Sequence, residues 1–190
     1  MCPIFVILSD PSRPGGRYSR RDLRDDPVNR DLLAFHYHGR PGYNPGRARH
    51  VHDHHEFLYV FDGRGTQLTE RGEETCAAGD FFFFPAGRRH QSYVAPGRGF
   101  RAAVVSLRES LFASGQEADR QCLSVLGQLR RRAERDNLVK LSPEGAGAVG
   151  RRLRALVGEF ESRLPGHECA AKALMMGVLT TVLRDPRHRP

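Results

Sequence analysis

HVHDHHEFLYVFDGRG (residues 50–65) and GDFFFFPAGRRH (residues 79–90) decide how this chain folds. The first sets His50-x-His52, three residues, Glu56, six residues, Gly63; the second sets Gly79, five residues, Pro85-x-Gly87, two residues, His90. In an extended strand alternate side chains share a face, so His50, His52 and Glu56, all at even positions, point the same way. A Pro-Gly turn at 85–87 reverses the chain and brings His90 in from a neighbouring strand. Three imidazole nitrogens and one carboxylate oxygen form a donor set suited to Zn, Fe, Mn, Ni or Cu, and the spacing does not choose among them. The same four residues can instead stand as a polar cluster held by their own hydrogen bonds.

Outward from this stretch the pattern is one of short strands. After Glu56 the run FLYVF is apolar throughout, with Leu58 and Val60 continuing the inner face. Phe57, Tyr59 and Phe61 fall on the other face, which needs cover from helices or a partner subunit. Gly63 to Gly65 turn the chain into TQLTE, Arg71-Gly72 into ETCAA, and Gly79-Asp80 into Phe81 to Phe84. HQSYVA and FRAAVVSL, divided by Pro96-Gly97, complete a barrel or sandwich rhythm. Phe81 to Phe84 read as core on both faces, and the inward pair, Phe82 and Phe84, offers an apolar platform for a small ligand. Upstream, LLAFHYHG alternates Leu33, Phe35 and Tyr37 against Ala34, His36 and His38. His36 and His38 make a second HxH without a second half-motif, which places them at the surface or a pocket rim.

The two half-motifs together resemble the paired signatures of the cupin superfamily of small β-barrels. That resemblance implies a mainly β fold, a cupin-type jelly-roll barrel, with His50, His52, Glu56 and His90 as metal ligands inside it. Two flanking positions depart from the family pattern: Asn44 stands where a glycine is expected, and Val94 where an asparagine is expected. Neither would be a ligand.

Beyond Leu107 the period switches from two to helical. A helix over Glu117 to Ala133 carries Leu123, Leu126 and Leu129, and NLVKL (137–141) is a short extended piece. Ser142-Pro143-Glu144 is a helix start, with a cap, a proline at the first position and an early acid. The apolar stripe that follows is Val149, Leu153, Leu156, Val157, Phe160 and Leu164. Pro165-Gly166 break it, and a last helix from Glu168 to Arg184 shows Ala171, Leu174, Met175, Val178 and Val182. Such a pair is antiparallel. It closes the barrel's open side, forms a homodimer interface, or both. The division expected is a polar arm over 1–30, a barrel over 31–108, a helical dimerisation segment over 109–185, and a tail over 186–190.

The barrel with this helix pair, from Leu32 to Arg184, is similar to the N-terminal sensor and dimerisation domain of AraC-type transcription regulators. HVHDHHEFLYVFDGRG, GDFFFFPAGRRH, NLVKLS and the ending ALMMGVLTTVLR carry the likeness. The resemblance implies a small-molecule effector, often a sugar, held by His50, His52, Glu56, Phe82, Phe84 and His90, with dimerisation through the last helices. In that family DNA is read by a separate C-terminal domain with two helix-turn-helix units, which is not expected within these 190 residues. Ala173-x-x-x-Gly177 faintly matches such a turn, but its recognition helix would cross Asp185-Pro186, and proline inside a helix costs about 3 kcal/mol. The rival class is a metal-dependent cupin enzyme of oxygenase or sugar-isomerase type, and the donor set permits it. No acid/base pair beyond the ligands supports that class. An inert structural cupin acting only as a dimerisation module is a third reading.

Composition bounds these readings. A chain of 190 residues suits one domain with a helical appendage and can bury a substantial core. No apolar run approaches the roughly 20 residues that span a bilayer, and MCPIFVILSD is too short and lacks the basic start of a signal peptide. Cys2, Cys76, Cys122 and Cys169 are scattered with no CxxC pair, which fits free thiols in a reducing cytoplasm. The net charge of +8 comes almost wholly from arginine, with only Lys140 and Lys172 as lysines. Arg130 to Arg132 and Arg151, Arg152 and Arg154 fall in helices, as a solvated face or, alternatively, a phosphate-binding patch.

Overall fold

The structure, a computed structural model, describes residues 31–39, 49–94 and 99–188. The arm over 1–30, residues 40–48 with Asn44, the Pro96-Gly97 turn and residues 189–190 lie outside the described residues.

One long strand, β2 (His55–Thr69), is the spine of an antiparallel, strand-rich layer system. Its first half pairs with β6 (Phe100–Leu107) on one side and β4 (Phe81–Phe84) on the other. Its second half pairs with β3 (Gly72–Ala77) and β5 (His90–Val94). A last strand, β1 (Leu32–Gly39), adds outside β6 in the register Leu33↔Ser106, Phe35↔Val104. The separate TQLTE strand expected after a turn at Gly63 is therefore corrected. The chain bends without reversing, with a register shift between Val60 and Asp62 and Gly63 at φ 85°. A Cβ at Gly63 would collide with the Gly99 carbonyl oxygen, so glycine is what lets β2 leave one sheet and enter the next.

Register sets the inner face. Glu56 sits opposite Phe84 on β4 and Ser106 on β6, and Leu58 opposite Phe82 and Val104. Phe57, Phe81 and Phe83 form the outer layer, with Phe57 and Phe83 ring centroids 4.9 Å apart. NLVKL extends this sheet: the Phe83 N–H donates to the Asn137 carbonyl at 2.9 Å, and the Val139 N–H to the Phe81 carbonyl at 2.7 Å.

Three helices cover that outer layer: α1 (Glu117–Ala133), α2 (Pro143–Ser162) and α3 (His167–Arg184). The first matches its expected span because its apolar spacing is regular and its ends are charged. Ser142 caps α2, its hydroxyl accepting from the Gly145 N–H at 3.1 Å. The Asp185 carboxylate accepts from the Ser142 N–H at 2.9 Å and its hydroxyl at 2.8 Å, tying the end of α3 to the start of α2. At Gly150 a Cβ would lie 2.6 Å from the Tyr59 hydroxyl, so α2 approaches the sheet at backbone distance. Val149, Leu153, Leu156 and Val157 are fully buried within this one chain, as are Ala171, Met175 and Val178. The helical stripes thus close the sheet, α2 against β1 and α3 against α2 and α1. Leu164, placed in the stripe by spacing, is 64% exposed.

Candidate metal centre

His50, His52, Glu56 and His90 come together, each offering a ligand atom, and these atoms all lie within 4.8 Å of one another. The route differs from a single strand. Residues 51–54 are irregular, and β2 begins only at His55. Instead a backbone bridge fixes His50 to His90, with paired N–H to carbonyl bonds of 3.0 and 3.1 Å. The Gly87 N–H, from the Pro85–Gly87 turn, donates to the His52 carbonyl at 2.9 Å and seats the second histidine. Glu56 then projects from the first turn-free residues of β2 into the barrel.

Hydrogen bonding decides which nitrogen of each ring faces the centre. His52 Nδ1 lies 2.7 Å from the His54 carbonyl and His90 Nδ1 3.1 Å from the Arg88 carbonyl. A carbonyl only accepts, so both Nδ1 atoms carry the proton. Gln91 donates its amide to the Ser92 carbonyl at 2.9 Å, leaving its Oε1 to accept from His50 Nδ1 at 3.1 Å. All three Nε2 lone pairs are therefore left for the centre. His90 Nε2 is 3.3 Å from Glu56 Oε1, and His52 Nε2 is 3.4 Å from Glu56 Oε2. His50 Nε2 and His52 Nε2 are buried without a hydrogen-bond partner. Each such desolvated acceptor costs about 1–3 kcal/mol unless something satisfies it.

Electrostatics treat the rings differently. Burial, then the charge of His90, pushes the His50 imidazole below its ordinary pKa. Burial opposes ionisation of His52 and Glu56 too, but their mutual attraction prevails: His52 is raised and Glu56 is held well below the carboxylate range, chiefly by His90 and His52. Coordination through His52 therefore has to displace the proton that Glu56 favours on that ring, while the Nδ1–H groups are already braced from behind. The residues present fit a divalent transition metal.

Phe84 stacks on His90, and Phe82 stacks on Phe84 at 6.0 Å; both phenylalanines are fully buried. Beyond them Gln67, fully buried, accepts from the Ser92 hydroxyl at 2.6 Å, a polar pair on the inner face that sequence reasoning missed. Its odd spacing from Glu56 hid it, because the register shift between Val60 and Asp62 that changes the parity of β2 is not visible in the sequence. Two more histidines were missed. His54 stacks on His52 at 3.9 Å with its own Nε2 buried and unpartnered. His55 points the other way, accepting from the Ala86 N–H at 3.0 Å and donating to Glu109 at 3.1 Å, so it braces the turn from outside. His36 and His38 stay apart from the centre, edge to face at 6.0 Å, with His36 against Phe61.

The fold and centre define a cupin-type barrel with a covering helical layer. The chain belongs to the AraC-like ligand-binding domain family, whose model matches residues 33–179. Nothing among curated proteins matches it. Among solved structures it is similar to a DMSP lyase from Ruegeria pomeroyi, at 25% identity over 41% of this chain and 39% of that one, TM-score 0.37. A sugar phosphate isomerase of the cupin superfamily from Silicibacter pomeroyi gives 27% identity over 41% of this chain and 51% of that one, TM-score 0.38. A Cupin 2 conserved barrel domain protein from Salinispora arenicola gives 24% identity over 45% and 70%, TM-score 0.39. The chain spans 39% and 51% of the first two of these structures. No helix among the described residues is long and apolar enough to cross a membrane.

Proposed function

We propose that this domain senses a small polar molecule, a sugar or related metabolite, inside the barrel, at a centre that holds a divalent transition metal (Zn, Fe, Mn or Ni). The carrying observation is the convergence of three Nε2 lone pairs on Glu56, each ring braced at Nδ1. When bound, the metal would supply a Lewis acid for an oxygen of the effector. His50, His52, Glu56 and His90 hold it, while Phe82 and Phe84 wall the pocket and keep water from the His90 ring. Polar anchors beside apolar walls are the make-up of a small-molecule site. In this reading the chain is the sensing part of a transcription regulator. It forms a homodimer through its C-terminal helices, and sequence-specific DNA contact belongs to a separate domain.

The test has two parts. Elemental analysis after incubation with Zn or Mn should find metal in the unaltered protein and little in His52→Ala/Glu56→Gln; equal content would defeat the metal reading. A thermal-shift screen of sugars and sugar acids should then yield a specific stabiliser by mass action, lost in His90→Ala. Metal-dependent conversion of a screened compound would instead make the domain a cupin enzyme. Salt-resistant, sequence-selective DNA binding by these residues alone would also refute a sensor-only role, because scattered arginines give weak, salt-sensitive contacts.

A further inference from the structure

The last turns of α1 and α3 enclose a groove of about 510 Å³ that shares no lining residue with the histidine centre. Its floor is apolar: Val125 and Leu129 of α1 and Val182 of α3 are buried, and Leu183 stands 42% exposed at the edge. Its rim is cationic, with Arg131, Arg132 and Arg135. Helical spacing produces the combination. Val125, Leu129 and Arg132 form one ridge of α1, Arg131 stands beside it at an exposed position, and Arg135 follows in the turn just past the helix end.

Cations near a helix C-terminus have a plain structural use, which is to satisfy its carbonyls and dipole. Here other groups serve that use. The Arg71 guanidinium donates to the Ala133 carbonyl at 2.8 Å, and Arg130 pairs with Glu109. Among the described residues neither Arg131 nor Arg135 is paired with a carboxylate. Asp136, the acid in the lining, accepts from the Leu138 N–H at 2.9 Å.

We propose that this groove is a second binding site, for an amphipathic organic anion. Its carboxylate or phosphate-type head sits on Arg131 and Arg135, and its chain or ring lies along Val125, Leu129, Val182 and Leu183. A guanidinium fork matches a planar or tetrahedral oxyanion, and the volume is that of a small-molecule site. Gln128 and Asp136 also line the groove, but its buried floor of Val125, Leu129 and Val182 offers a sugar no hydrogen bond. A nucleic-acid backbone would leave the apolar floor unused. Because the floor comes from both helices, occupation would clamp α1 to α3.

The test is methyl NMR on the full chain, titrated separately with octanoate, 1-octanol and inorganic phosphate. Octanoate should shift the methyls of Val125, Leu129, Val182 and Leu183, with 1-octanol and phosphate weaker by about tenfold or more, since a charged hydrogen bond is worth about that factor. Arg131→Gln/Arg135→Gln, at exposed positions that leave the core intact, should weaken octanoate by a similar factor. Several results would overturn the site: no groove methyl moving, 1-octanol or phosphate binding as well as octanoate, the double variant binding unchanged, or shifts confined to barrel methyls such as Leu58 and Val104.

Discussion

Phe84 lies flat on His90, ring centroids 4.2 Å apart and planes 5° from parallel. Together with the Arg88 carbonyl at Nδ1, this stack leaves the His90 ring one orientation, with Nε2 toward Glu56. Phe84→Leu should therefore cost both stability and the centre. We expect a loss of about 1–2 kcal/mol in urea denaturation, from the lost aromatic pairing and packing. Affinity for Zn should fall about tenfold, as it does when a group supporting a ligand is removed. Unchanged Zn affinity beside reduced stability would make Phe84 a core residue only.

His54 gives the pH dependence its sign. Burial first, then the charge of His52, takes its pKa from 6.5 to about 4. The unfolded chain therefore binds the proton first as pH falls. The stability linked to this group is full above 6.5 and drains as pH drops toward about 4. Glu56, whose pKa lies well below 4.5 when folded, loses its contribution only at lower pH still. His54→Phe keeps a ring on His52 and removes the titration. In metal-free protein the variant should lose less stability between pH 6.5 and about 4 than the unaltered chain. An identical slope would mean that His54 is not held neutral by its surroundings.

Much of this was legible in the sequence, and the failures have physical causes. LLAFHYHG, which alternates, and FRAAVVSL, an apolar run marked off by a turn before it, became β1 and β6 at their expected bounds. The four candidate ligands were found by even parity, yet parity alone would also admit His54, and what separates it is the irregular backbone over 51–54. Gly63 looked like a turn because glycine marks turns and bulges alike, and only the partners Phe100 and Ala77 on either side tell them apart. Apolar stripes announce that something covers a helix, and local sequence cannot say whether that cover is the same chain.

That distinction makes a prediction about assembly. Leu156 is fully buried inside the protomer, so Leu156→Asp should cost several kcal/mol of folding stability by burying an unpaired carboxylate. Its urea midpoint should not depend on protein concentration. The homodimer proposed above would instead use the earlier turns of α3, away from the groove, where Met176 is half-buried and Ala173 is exposed. Ala173→Asp/Met176→Asp should cost less folding stability than Leu156→Asp and shift light scattering toward monomer. If Leu156→Asp stayed folded and only split a dimer, the burial assigned to the helix pair would be wrong.

The corner at Gly63 decides whether β2 can serve both sheets, and hence whether Glu56 and His90 meet at all. Gly63 and Gly79 share nearly the same left-handed backbone, φ 85° and 93°. Only Gly63 has the Gly99 carbonyl where a Cβ would stand; Gly79 has nothing within 4 Å. Alanine at either pays the left-handed penalty of about 1–2 kcal/mol. Gly63→Ala must in addition push β6 away from β2, so we expect it to lose about 3 kcal/mol or more, against about 1–2 for Gly79→Ala. Urea denaturation of both variants isolates the steric part as their difference. Zn binding should fall with Gly63→Ala and not with Gly79→Ala, because the displaced corner carries the register that sets Glu56 opposite Ser106. Equal losses in the two variants would mean that the corner relaxes freely, and that the Gly63–Gly99 approach does not hold β2 in both sheets.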